Sequence, residues 1–171
     1  MAREQLVQGV LVKFAKYVVQ QAKSNLTRQK RNTSGDLYNS LDYSIYVQKD
    51  KFSVVFRMED YGLYQDKGVK GAKSTYASAQ DSPYKYGAKK PPASAFSKWV
   101  VKKGLDGVRD KKGRFVKRKS LQFAIARSIY NKGIPATKFF TTPFGIAYNR
   151  LPPDILKAFQ LTEDDIKIVT K

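Results

Sequence analysis

Between Leu6 and Leu26 the apolar residues Leu6, Val10, Phe14, Val18 and Ala22 recur four apart, with Val7 and Leu11 widening the stripe and Lys13, Lys16 and Lys23 outside it. Such a row lies along one side of a helix, so the pattern predicts a long N-terminal amphipathic helix whose apolar side packs into a core. A basic polar link over 27–32 follows. In the next stretch, 33–41, Thr33 or Ser34 is placed to cap a short helix, Asp36 suits its positive end, and Leu37 and Leu41 face inward. The period then changes: residues 43–47 and 52–58 are rich in β-branched and aromatic side chains, and 48–51 carries turn chemistry, which predicts a β-hairpin.

From Gly68 to Lys90 the period disappears, and Gly, Ser, Ala and Lys are mixed with Tyr76, Tyr84 and Tyr86, which reads as a long loop. Loops of that length in a compact domain are usually functional or ordered by a partner. Pro91-Pro92 then opens a helix, with Phe96, Trp99 and Val100 on its apolar side and Gly104 ending it. Residues 104–119 read as a basic, hairpin-like excursion turning at 110–113, which projects rather than packs. Ser120 is placed to cap the next helix. Its small and aliphatic face is Leu121, Ala124, Ile125, Ser128 and Ile129, and it ends at Gly133. A last helical stretch contains Phe144, Ala147 and Tyr148 and is broken by Pro152-Pro153. A short helix over 154–160 and the acidic run Glu163-Asp164-Asp165 precede 166–169, a last strand or docking tail. The organisation expected is one domain over 1–150 with loop insertions at 68–90 and 104–119, then a C-terminal docking tail over 151–171.

Composition changes the picture in two ways. Thirty-three Lys and Arg face 14 Asp and Glu, a net charge of +19, which opposes compaction unless a polyanion or an acidic protein surface compensates it. The chain also has no cysteine and no histidine. That removes disulfides, thiolate chemistry, the commonest transition-metal ligands and the usual general base near neutral pH. The hydrophobic share of 42% and the aromatic share of 13% are those of a folded chain. The N-terminal segment is charged and amphipathic and lacks the apolar run of a signal peptide or membrane span, so synthesis and assembly in a cytoplasm are expected.

The strongest chemical feature is the density of cations at Lys98, Lys102, Lys103, Arg109, Lys111, Lys112, Arg114, Lys117, Arg118 and Lys119, against Asp106 and Asp110 alone. These residues are candidates to face DNA or an acidic partner; the bland alternative is a solvated loop. Lys70, Tyr76, Tyr84, Tyr86, Lys89 and Lys90 are candidates for an inter-subunit loop. The segment 62–68 lacks the Gly-Lys-Ser/Thr ending of a phosphate-cradling loop. Glu59, Asp60 and Asp66 beside Lys67 form the mid-chain carboxylate group that a metal-dependent nuclease would use; their bland reading is a capped turn. No catalytic, metal or cofactor site is expected.

Three stretches resemble the neck and tail-completion proteins of tailed bacteriophages, akin to the minor tail protein Z group. The first is the opening helix leading into Asn32-Thr33-Ser34-Gly35-Asp36-Leu37-Tyr38-Asn39-Ser40-Leu41, similar to a Thr-Gly-x-Leu-x-x-Ser element with Ser34 inserted. The second is Tyr61-Gly62-Leu63-Tyr64-Gln65-Asp66-Lys67-Gly68. The third is Gly133-Ile134-Pro135-Ala136-Thr137-Lys138-Phe139-Phe140, which looks like a Gly-x-x-Ala-x-x-Phe-Phe run. The resemblance implies an α+β subunit with a small antiparallel sheet flanked by helices and long basic loops. It also implies a non-enzymatic structural role in a homo-oligomeric ring, a hexamer or dodecamer, at the head–tail connector or the top of the tail. Its partners would be portal, adaptor and tail proteins and, non-specifically, the packaged DNA, with no membrane and no cofactor. A sequence-independent nucleic-acid-binding protein is the alternative.

Overall fold

A strict spacing of four cannot stay on one side of a long helix: each such step turns about 40° too far, so five positions sweep through roughly 160°. The first helix, α1 (Ala2–Arg28), therefore buries a seam that mixes steps of three and four: Val7, Leu11, Phe14, Ala15, Val18, Val19, Ala22 and Leu26. Leu6, the first residue of the expected row, is 65% exposed and lies off this seam. The helix is as expected, and its buried side is rotated.

The computed structural model describes residues 2–31, 34–48, 51–153 and 166–170. After α1 come α2 (Asp36–Ser40), β1 (Asp42–Gln48), β2 (Lys51–Met58), α3 (Tyr61–Lys67), β3 (Val69–Lys70), α4 (Ser97–Lys102), α5 (Arg118–Lys132), β4 (Gly133–Ile134), α6 (Thr141–Tyr148) and β5 (Ile166–Thr170). Short 3-10 turns occur at Ala77–Ala79, Ala93–Phe96 and Leu105–Gly107. The class is α+β. The chain divides into two compact units: Met1–Gly62 with Lys138–Lys171, and Leu63–Thr137. The segments 68–90 and 104–119, expected as loop insertions, both fall in the second.

In the first unit β1 and β2 form the expected antiparallel hairpin, with Asp42 opposite Arg57 and Gln48 opposite Lys51. Alternation along β2 puts Phe52, Val54, Phe56 and Met58 in the core. On the opposite face the Arg57 guanidinium donates to Ser44 Oγ (2.6 Å) and to the Tyr46 hydroxyl (2.9 Å), tying the two strands together. The expected last strand forms as β5 and lies parallel to β2, from Val54 opposite Ile166 to Met58 opposite Thr170, so the three-stranded sheet is mixed. A tight turn obliges strands to run antiparallel, whereas a strand arriving after a long connection is under no such constraint.

Against this sheet the core is aromatic. Phe56 meets Phe14 edge-on at 6.1 Å and Phe140 at 5.2 Å, and Phe144 lies 5.8 Å from Phe14 and stacks at 6.0 Å on Phe140. Each such pair adds about 0.5–1.5 kcal/mol beyond the area it buries. Leu37 and Leu41 face inward as expected. The cap of α2 differs from expectation, however: the capping position is Gly35 (φ +82°), and Ser34 Oγ only accepts a long 3.4 Å bond from the Asp36 amide. Thr33, the helix expected over 154–160 and the run 163–165 lie outside the described residues.

The second unit is built on α5, α4 and the two-stranded sheet β3–β4, in which Val69 is opposite Ile134 and Lys70 opposite Gly133. Gly68 (φ +74°) and Gly133 (φ +81°) flank this sheet in the left-handed half of backbone space. A Cβ on Gly68 would lie 2.6 Å from the Ile134 carbonyl, and one on Gly133 would run into the Val69 carbonyl, so both positions require glycine. Three expectations are corrected here. The helix α5 starts at Arg118 with Lys117 at its capping position, which leaves Ser120 inside the first turn. It buries Gln122 and Ala126, whereas Ala124 and Ser128 are exposed. In α4 the buried residue is Val100; Trp99, one position away and so rotated by about 100°, is 41% exposed.

Candidate functional site

The charge of the chain is unevenly held. Leu63–Thr137 carries 18 Lys and Arg and four Asp, a net +14, while the larger first unit carries 15 and ten, a net +5. Four carboxylates cannot neutralise eighteen cations. All ten candidate cations, Lys98, Lys102, Lys103, Arg109, Lys111, Lys112, Arg114, Lys117, Arg118 and Lys119, are exposed. Lys98 and Lys102 belong to α4, Lys103 follows it, and Arg118 and Lys119 open α5, so positive charge predominates on two helices and on the excursion between them, against Asp106 and Asp110 alone.

The turn expected at 110–113 is a clasped hairpin. Arg109 and Phe115 pair as an isolated antiparallel bridge, the Asp110 amide donates to the Arg114 carbonyl at 2.8 Å, and the Gly113 amide (φ +77°) donates to the Asp110 carbonyl at 3.0 Å. The Asp110 carboxylate organises the loop. Its Oδ1 accepts from the amides of Lys112 (2.8 Å) and Arg114 (3.0 Å), and its Oδ2 accepts from the Arg114 guanidinium at 3.1 Å. The Arg114 amide is the largest cause that holds the Asp110 carboxyl below its usual range; desolvation, next in size, opposes it, and the Lys112 amide and the Arg114 side chain add to the lowering. Arg109 closes the other side: its guanidinium lies 3.8 Å from the centre of the Phe115 ring and donates to the Gly113 carbonyl at 2.7 Å.

The candidate inter-subunit loop divides into two parts. Lys70 donates through its amide to the Tyr84 carbonyl (2.9 Å) and accepts from the Tyr86 amide (3.0 Å). The Tyr84 ring meets Tyr64 at 4.5 Å and the Tyr86 ring lies 6.1 Å from Tyr130. Buried Ser82 donates to the Gly68 carbonyl at 2.7 Å. Burial also raises the Tyr86 hydroxyl above the ordinary tyrosine pKa. Lys70, Tyr84 and Tyr86 are thus bonded within their own unit. Tyr76, Lys89 and Lys90 are exposed.

Reading the sequence by runs of cations passed over a second basic feature. A groove of about 830 Å³ is lined by Lys90, Pro91, Phe123, Arg127, Asn131 and Lys132 among others. Phe123, Arg127 and Asn131 are spaced four apart, and that spacing was the available signal for a shared row on α5. Phe123 is 67% exposed, and the Lys90 ammonium sits 5.6 Å over the Tyr130 ring.

Of the carboxylates considered for a nuclease, Asp66 is buried and Asp60 exposed. Among the described residues no three acidic side chains come together in a way that could hold a metal ion. Among the same residues no helix is long and apolar enough to cross a membrane. Comparison with models of known protein families, with curated proteins and with solved structures finds no match for this chain.

Proposed function

We propose that this chain is a structural subunit of a tailed bacteriophage, closing into a homo-oligomeric ring at the head–tail connector or the top of the tail and joining neighbouring ring proteins around the DNA channel. One observation carries the reading. The second and third stretches of the resemblance, some seventy residues apart, come together as a single joint. The β3 strand directly after Gly68 pairs with β4 at Gly133-Ile134, and the Thr137 amide (3.1 Å) and hydroxyl (2.8 Å) both donate to the Gln65 carbonyl. The third stretch ends in Phe139 and Phe140, which are fully buried in the first unit. Short motifs that recur in a family for structural reasons are expected at such joints, where glycine is obligatory and neighbouring backbones are close.

In this role the protein turns over no substrate and works by self-association and by contact with portal, adaptor and tail proteins in the virion. A subunit forms a closed ring when two different faces meet through a rotation that returns to the start. Native mass spectrometry and negative-stain microscopy of the purified chain test the proposal. Six- or twelvefold rings are the expected result, and a monomer at every concentration, with portal and tail partners present, overturns it.

The concentration of charge in the second unit favours a second reading, sequence-independent binding of nucleic acid, either within such an assembly or apart from it. It predicts an affinity for duplex DNA that falls steeply with salt. A flat salt response removes it.

A further inference from the structure

We infer that the hairpin 109–115 is a preorganised phosphate clamp: a clasped loop that holds Lys111, Lys112 and Arg114 in a fixed array against a nucleic-acid backbone. The inference rests on the nucleic-acid reading and names the element that performs it.

A loop serving only as a solvated connection between α4 and α5 has no need of this much internal bonding. The Asp110 carboxylate takes two amides and a guanidinium, and Arg109 covers Phe115 while binding the Gly113 carbonyl. All of these bonds are exposed, where each contributes little to global stability. Their effect is local: they remove conformations of the tip before binding, so that less entropy is lost when the cations meet their ligand.

The chemistry of the array selects the ligand. Protein interfaces centre on apolar and aromatic anchors and are depleted in lysine. Around this hairpin the exposed large apolar side chains are Phe115 and Val108, and the Arg109 guanidinium occupies one face of the Phe115 ring at 3.8 Å. Lysines dominate the rest, with Lys102 and Lys103 before the hairpin and Lys117, Arg118 and Lys119 after it, all exposed. Dense, exposed ammonium groups that outnumber the apolar side chains among them suit a phosphodiester chain, which is repetitive, singly charged per residue and read without sequence.

Asp110 makes the inference testable, because geometry and charge predict opposite outcomes for its replacement. Asp110→Ala and Asp110→Asn both remove one negative charge. Only the asparagine keeps an oxygen for the Lys112 and Arg114 amides. Binding of the full chain to a fluorescent 30-base-pair duplex is measured by anisotropy across a salt series. The clamp predicts that Asp110→Ala binds at least about threefold more weakly than Asp110→Asn, an effect the size of one modest hydrogen bond. Equal affinities for the two variants, or tighter binding by Asp110→Ala, overturn the clamp and leave non-specific binding standing.

A second measurement does not depend on how the Asp110 variants fold. Replacing Lys111 and Lys112 together by alanine lowers the slope of log affinity against log salt by about two, close to one for each phosphate no longer neutralised. The control pair Lys13 and Lys16, exposed on α1, leaves the slope unchanged when replaced in the same way. Equal slopes for the two double variants overturn the clamp. No binding of the unaltered chain to duplex ends the nucleic-acid reading and the clamp with it, whereas the ring is judged separately by microscopy. Binding to polyglutamate at least as tight as to duplex, and abolished in the Lys111/Lys112 variant, assigns the hairpin to an acidic protein and also overturns it.

Discussion

The two units use similar numbers of cations in opposite ways. The first carries 15 Lys and Arg and, among the described residues, 18 buried apolar residues; the second carries 18 Lys and Arg and only four, Val69, Ala79, Val100 and Ala126. The buried polar residues Asp66, Ser82 and Gln122 all belong to the second. Apolar burial is the main favourable term in folding and like-charge repulsion opposes it. The first unit can therefore stand on its packing, while the second depends on local bonding, obligatory glycines and whatever neutralises its surface. A region with that balance is suited to binding, since an anionic ligand supplies the compensation its own sequence withholds.

The largest test of this contrast is in the core. Phe56→Ala removes the ring at the centre of the aromatic cluster and is expected to destabilise the first unit by about 3–5 kcal/mol in urea unfolding. A loss under about 1 kcal/mol would show that the aromatic cluster is not what holds this unit. Gly133→Ala, which forces a Cβ against the Val69 carbonyl at φ +81°, should cost about 3 kcal/mol. Hydrogen exchange at Val69 and Lys70 should report that cost locally, and unchanged protection there contradicts the joint.

Polyanions sharpen the comparison. Heparin or duplex DNA at a hundred times its dissociation constant should stabilise the second unit by about 2.7 kcal/mol, and exchange protection should rise within 63–137 and not in the β1–β2 hairpin. Protection rising equally in both units would remove the distinction between them. The smallest effect concerns pH. The lowered pKa of Asp110 means that the clasp is complete above the ordinary carboxylate range and opens as pH falls through the folded value. Amide proton shifts of Lys112 and Arg114 should be constant above pH ~5 and move together at acid pH, with a midpoint below about 3.9, the usual aspartate value. A midpoint at or above it would mean that the clasp is absent in solution.

Legibility followed the same division. The hairpin strands, α1, the inward Leu37 and Leu41, the turn ending at Gly113 and the stop at Gly133 were readable because each depends on a period of two, on a helical period or on a residue with a narrow conformational range. Trp99 was misplaced because one residue of slippage along a helix turns a side chain through about 100°, and no local residue type prevents that slip; Ser120 was misplaced because α5 begins earlier, with Lys117 at its capping position. The basic excursion stood out as a cluster in the sequence. The clasp within it did not, because an aspartate among lysines looks like simple charge balance until its carboxylate is seen accepting two amides.

What the sequence determined by itself was the inventory: an α+β chain of strong positive charge, without cysteine or histidine, with glycine at Gly68, Gly113 and Gly133, where the backbone turns left-handed. Tertiary structure decided which of these parts meet. It set the seam of α1, brought β5 alongside β2 in parallel, folded 68–86 onto its own unit, paired Lys70 with Gly133 and gathered +14 of the charge into one unit. The physical reason is that periodicity and conformational preference act within a few residues. The direction of a distant strand and the partner of a loop are settled by packing and hydrogen bonds between segments many residues apart, which no local pattern encodes.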